Sequence, residues 1–136
     1  MIVLSIGTWD LFHRGHHNLL TRCKKLGDLV VGINTDEFVQ KYKGEKPLDG
    51  YEQRSYMVSQ YTDDIWPNHS AGKTLIEAVE PDILVVGSDW CKKDYYKQIG
   101  MTQEELDEAG ILLIFMPYTP NISSTILKNK FLTRDI

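Results

Sequence analysis

Apolar residues occur along this chain in short continuous runs, separated by longer segments in which they return at every third or fourth position. The runs at residues 2–6, with Ser5 as the single polar member, and at 29–33, 65–66, 83–86 and 111–115 read as strands. Pro67 stops the third run, and Pro81-Asp82 marks the turn into the fourth. Between the runs, Leu19, Leu20, Cys23 and Leu26 recur at helical spacing while Arg22, Lys24 and Lys25 face the other way, which predicts an amphipathic helix ended by Gly27. Further helices are predicted over 52–61, carrying Arg54, and over 73–79. Thr102 followed by Glu105 three residues on is a capping-box start for a helix through Ala109, with Gly110 as its stop. The polar stretch 40–50, holding Lys41, Lys43, Lys46, Gly44 and Pro47, reads as a mobile loop able to act as a lid. A second loop covers 117–121, and Ser123-Ser124-Thr125 opens a last helix.

Strands alternating with helices predict an α/β domain with a five-stranded, mostly parallel sheet and helices on both faces. The first strand, helix and strand favour a right-handed crossover, and ligands of such sheets sit beyond the carboxyl ends of the strands. The segment Gly7-Thr8-Trp9-Asp10-Leu11-Phe12-His13-Arg14-Gly15-His16 falls at such an end, between the first strand and the first helix. Gly87-Ser88-Asp89-Trp90 falls at the end of the fourth strand. Periodicity alone leaves Rossmann-like and flavodoxin-like strand orders open.

With 136 residues, 42% of them hydrophobic, residues 1–136 are expected to form one domain with a real core and no separate substrate domain. The formal net charge of -4 argues against nucleic acid or a membrane surface as partner, so an anionic ligand needs a focused site. Cys23 and Cys91 form no Cys-x-x-Cys pair, and the natural expectation is a reducing cytoplasm. No charged leader or long apolar span is visible, and neither a signal peptide nor a transmembrane helix is expected.

Charge chemistry concentrates in the opening turn. Unpaired amides at a helix N-terminus attract anions, and His13 and His16, with Gly15 between them, can converge on one phosphate there. Two surface histidines capping a helix would show the same spacing. A metal centre is disfavoured, because no third and fourth ligand stands at zinc-like spacing nearby. Thr8 can donate to the same phosphate or simply cap the helix. Ser123, Ser124 and Thr125 could form a second anion site, although serine and threonine at a helix start are more often plain caps.

The opening segment resembles the signature of the cytidylyltransferases, the HxGH nucleotidyltransferases, in which a phenylalanine usually fills the position of Trp9. The nearest likeness is to their glycerol-3-phosphate branch. Asn34-Thr35-Asp36-Glu37-Phe38, Tyr51-Glu52-Gln53-Arg54, Gly87-Ser88-Asp89-Trp90 and Ile122-Ser123-Ser124-Thr125 recur in that family's order. The resemblance implies a Rossmann-like nucleotidyltransferase fold, CTP and a phosphorylated acceptor such as glycerol 3-phosphate as substrates, Mg²⁺ with the triphosphate, and a homodimer. It implies catalytic roles for Thr8, His13, His16, Lys43 and Arg54. Counting back from Arg54 selects Lys43, whereas counting forward from Phe38 selects Tyr42. Nucleotide contacts are implied for Gly7, Thr8, Trp9, Asp10, His13, Gly15 and His16, for Gly87, Asp89 and Trp90, and for Ile122, Ser123, Ser124 and Thr125. Asp10 would repel a triphosphate, so it is expected to orient backbone amides in the turn or meet the acceptor. One departure stands out: the glycerol-3-phosphate enzymes carry Arg-Thr-Glu-Gly where this chain has Tyr118-Thr119-Pro120-Asn121. Either Arg14, Lys43 or Lys128 compensates, or the nucleotide sits differently, or catalysis is weak. The rival readings are an adenylyltransferase using ATP and a nucleotide-binding module without turnover.

Overall fold

In the computed structural model, which describes residues 1–87, 94–117, 124 and 127, each apolar run becomes one strand of a single sheet. The elements are β1 (Ile2–Gly7), α1 (Arg14–Leu26), β2 (Asp28–Asn34), α2 (Asp36–Lys43), α3 (Tyr51–Val58) and β3 (Ile65–Asn68), followed by α4 (Lys73–Val79), β4 (Ile83–Gly87), α5 (Tyr95–Ile99), α6 (Gln103–Glu108) and β5 (Leu112–Met116). The strand order is β3-β2-β1-β4-β5, and every pairing is parallel. That is the Rossmann-like order, which decides the alternative that periodicity left open.

Alternation along the buried strands divides the core in two. Val3, Leu29, Val31, Ile33, Ile83 and Val85 face α1 and α3, meeting Leu20, Cys23 and Val58. Leu4, Val30, Leu84 and Val86 face the opposite way, meeting Ile76 of α4, Tyr95 and Ile99 of α5 and Leu106 of α6. Ser5, the polar member of the first run, is buried and donates its hydroxyl to Val85 O at 2.9 Å, so its burial leaves no orphan group. β1 and β4 are neighbours, while the chain leaving β1 crosses to β2 on the other side. The crevice at this reversal lies beyond the carboxyl end of β1, where open α/β sheets bind ligands.

Several elements differ from the sequence expectation. The stretch 40–50 is not all loop, because α2 runs to Lys43. The Thr35 hydroxyl caps Phe38 N–H, Asp36 and Glu37 occupy the first turn, Lys41 and Lys43 the last, and Gly44 closes the helix in the left-handed region at φ 84°. β3 continues through Pro67, which is tolerated because β3 is an edge strand. α5 is a helix with no clear periodic signal, capped by the Asp94 side chain. Leu26 is exposed despite its place on the apolar stripe of α1. The Thr102–Glu105 capping box forms as expected, with both reciprocal bonds present. No helix among the described residues is long and apolar enough to cross a membrane.

Candidate functional site

The turn after β1 is strained, and several distant groups hold it. Trp9 and Leu11 have φ of 60° and 47°, left-handed values that cost a non-glycine residue on the order of 1–2 kcal/mol. Trp9 is buried against the core, and its indole N–H donates to Gly32 O at 3.0 Å. The ring folds back over Gly7, where a Cβ would stand 3.1 Å from Trp9 Cε2, so any larger residue would push the indole aside by a few tenths of an ångström. The Trp9 side chain therefore serves packing, and only its backbone lines the turn.

His13 and His16 come together at the N-terminus of α1. His13 is the N-cap residue: its Nδ1 accepts Gly15 N–H at 3.0 Å, while His16 Nδ1 accepts His13 N–H at 3.2 Å. The rings stack with centroids 3.8 Å apart and planes 21° from parallel. Both Nδ1 atoms being acceptors, each neutral ring carries its hydrogen on Nε2 and keeps that N–H as a donor. Burial, with Arg14 nearby, lowers the His13 pKa. Burial, with His13 beside it, lowers that of His16 to about 3 against a smaller opposing pull from Asp10. The folded protein thus holds both rings neutral, whereas the unfolded chain takes up protons near pH 6.5. Folding stability is therefore unaffected by these groups above about pH 6.5 and is lost as pH falls below it, by up to about 1.4 kcal/mol per pH unit for His16. Denaturation midpoints between about pH 7 and pH 5 should fall less steeply in His16→Gln than in the wild type. Equal slopes would remove His16 as the source.

Arg54 is fully buried and directed inward. Its Nε donates to Asp49 O at 2.9 Å, one terminal nitrogen to Thr8 O and Asn34 O at 2.6 and 2.8 Å, and the other to Asp36 Oδ1 at 2.6 Å. The guanidinium joins the turn after β1, the end of β2, the start of α2 and the segment before α3. These contacts hold four separate segments together around the turn. Asp10, also buried, accepts Leu48 N–H at 3.0 Å and Asp49 N–H at 2.9 Å through its two carboxylate oxygens. It orients backbone amides as expected, but they belong to residues 44–50 and not to its own turn. The lid segment is thereby shortened by α2 and clipped at its end. Asp10 O also accepts the Ser124 hydroxyl at 2.6 Å, so that hydroxyl ties residue 124 to the opening turn.

Thr8 is half-buried beside the histidine turn, and Asn34 Nδ2 donates to its Oγ1 at 3.2 Å. The Tyr42 hydroxyl stands 3.3 Å from the same oxygen. Lys43 is exposed, its ammonium 5.7 Å from the Tyr42 ring centroid. Of the two residues selected by counting, Tyr42 is the one bonded to the turn. Asn34, Asn68 and Asp36 were not expected as site residues, and their only sequence signal was the place of Asn34 and Asp36 in a motif. Gly87 closes β4, next to β1 in the sheet. Asp89 and Trp90, with Tyr118, Ile122, Ser123, Thr125 and Lys128, lie outside the described residues.

An open groove of about 590 Å³ lies alongside, at the starts of α2 and α3. Asp36, Glu37 and Glu52 line it together with Tyr51 and His69, so its charge disfavours a phosphate and suits hydroxyl groups. Among the described residues no three His, Cys, Asp or Glu side chains meet to hold a metal. Asp10 has both oxygens on amides, so the donor set fits a metal that arrives on its ligand better than a resident one.

Residues 4–130 match the cytidylyltransferase-like family model. The chain is 36% identical over 135 residues to the glycerol-3-phosphate cytidylyltransferase of Bacillus subtilis (strain 168), covering 94% of this chain and 95% of that one. It is 34% identical over 139 residues to the enzyme of the same name from Staphylococcus aureus (strain NCTC 8325 / PS 47), covering 98% and 96%. Among solved structures, the lipopolysaccharide core biosynthesis protein from Thermoplasma volcanium GSS1 superposes with a TM-score of 0.67 at 26% identity, over 88% of this chain and 96% of that one.

Proposed function

The chain belongs to the cytidylyltransferase-like family and is a nucleotidyltransferase, and from that premise we propose that it transfers CMP from CTP to a small phosphorylated alcohol such as glycerol 3-phosphate. The observation that carries this reading is the pair of neutral imidazoles fixed by the α1 capping box at the crevice beyond β1. In the reaction a phosphate oxygen of the acceptor attacks the α-phosphorus of CTP, the bond to the bridging oxygen breaks, and pyrophosphate leaves. The acceptor oxygen is already anionic, so no general base is required. What the protein must supply is orientation and donors for the charge that builds on the α-phosphate and the leaving group. The two Nε2–H groups, the positive end of the α1 dipole and the Thr8 hydroxyl are suited to that work. A bound triphosphate, being anionic, accepts these bonds as charge-assisted hydrogen bonds without either ring being protonated.

Arg54 and Asp10 act through the turn, holding its strained backbone in position. Mg²⁺ would come with the nucleotide as part of the substrate and would neutralise part of the triphosphate charge. Homodimerisation and a cytoplasmic setting belong to the same reading, supported by the family resemblance and by the buried free thiol of Cys23. Pyrophosphate release for each nucleoside triphosphate against a panel of phosphorylated alcohols tests the proposal. CTP with a phosphorylated polyol should give the highest rate. A preference for ATP would move the activity to adenylyl transfer, and binding without release would leave a nucleotide-binding module.

A further inference from the structure

The hydroxyl of Thr8 has two polar neighbours whose arrangement fixes the direction of its proton. Asn34 is 5% exposed, and its two amide ends have different partners: Oδ1 accepts Asn68 Nδ2–H at 2.9 Å, and Asn68 is itself 4% exposed. The Nδ2 end of Asn34 is therefore the end presented to Thr8 Oγ1, and it donates there. The Tyr42 hydroxyl stands 3.3 Å from the same oxygen. The Phe38 ring one helical turn earlier packs on Tyr42 with centroids 4.9 Å apart, holding the phenol toward Thr8. Between a phenol and an alkanol the phenol is the more acidic, so it donates. A hydroxyl oxygen has two lone pairs and one hydrogen. With both lone pairs taken, by Asn34 and by Tyr42, no acceptor among the described residues holds the Thr8 hydrogen, which is left for a ligand in the crevice.

We propose that Tyr42, together with Asn34, is a positioning residue that commits the Thr8 hydroxyl to donate into the anion site. The inference rests on the phosphate-binding reading of the turn and adds to it an α2 residue that is uncharged. A donor aligned beforehand needs no reorientation when charge develops, so its benefit falls in the transition state.

A double-mutant cycle tests this with Tyr42→Phe, Thr8→Val and the double variant, scored on kcat and KM for CTP with glycerol 3-phosphate and on melting temperature. Tyr42 is 40% exposed, so Tyr42→Phe should melt within about 2 °C of the wild type. It should lower kcat by about 5- to 10-fold with little change in KM. In the Thr8→Val background the same substitution should have no further effect. Equal fold-losses in both backgrounds, no loss in Tyr42→Phe, or full turnover in Thr8→Val would each overturn the proposal. Absence of turnover in the wild type is the separate failure of the transferase reading. Turnover with additive losses would overturn this inference alone, whereas no turnover in the wild type would overturn it together with that reading, because its benefit falls in the transition state.

Discussion

Replacing His16 by alanine should lower kcat for nucleotidyl transfer by about 10²- to 10³-fold, and His13→Ala should do the same. Each ring spends Nδ1 on the capping box and keeps Nε2–H for the ligand, so alanine removes one structural and one chemical function at once. The structural part is a helix cap, whose loss costs on the order of 1 kcal/mol. His13→Asn separates the two, because asparagine is a good N-cap acceptor but offers no donor at the Nε2 position. It should melt close to the wild type and still lose most turnover. Full activity in His13→Asn would reduce that histidine to a cap, the bland reading that its spacing always allowed. Steady-state kinetics and thermal melts on the same preparations settle the matter.

Arg54→Met should destabilise the fold by about 3–5 kcal/mol, lowering the melting temperature by roughly 10–15 °C. Methionine fills much of the volume but leaves the Asp36 carboxylate without its partner and the carbonyls of Thr8, Asn34 and Asp49 without their donor. Arg54→Lys should recover only part of the loss, since a single ammonium cannot span a carboxylate and three carbonyls arriving from different directions. Activity should fall with stability, through loosening of the turn that carries Thr8. A variant that melts normally but binds CTP poorly would instead make Arg54 a direct phosphate ligand.

How far these roles could be read in advance depended on the range of the contacts involved. Local signals were legible: the apolar runs, the stop at Gly27, and the Thr102–Glu105 box each act within a few residues. The start of α2 was equally local, with Thr35 as cap and acids in its first turn, but the lysines and glycines that follow have the composition of a loop. α5, at five residues, is too short to show a period. The histidine pair was visible because its spacing is also local. Arg54 was visible as an arginine in a motif, yet its burial was not: its partners at Thr8, Asn34 and Asp36 lie 46, 20 and 18 residues away and meet only through the strand order. Asp10 shows both sides, since charge repulsion left it to orient amides or meet the acceptor, while only the fold could place those amides at Leu48 and Asp49. Tyr42 was reachable by counting from Phe38, because α2 is unbroken between them.

The central claim, that the paired histidines and the Thr8 hydroxyl serve transfer of a nucleotidyl group to a phosphorylated alcohol, is tested most directly by following the α-phosphorus of CTP. The protein is incubated with CTP labelled at that atom, Mg²⁺ and glycerol 3-phosphate, and the labelled species are separated over time. The account predicts that label passes into a cytidine diphosphate ester of glycerol in step with pyrophosphate release, and that His16→Ala slows both together. Label that stays in CTP, or that leaves only as free CMP with no acceptor-linked product, would contradict it.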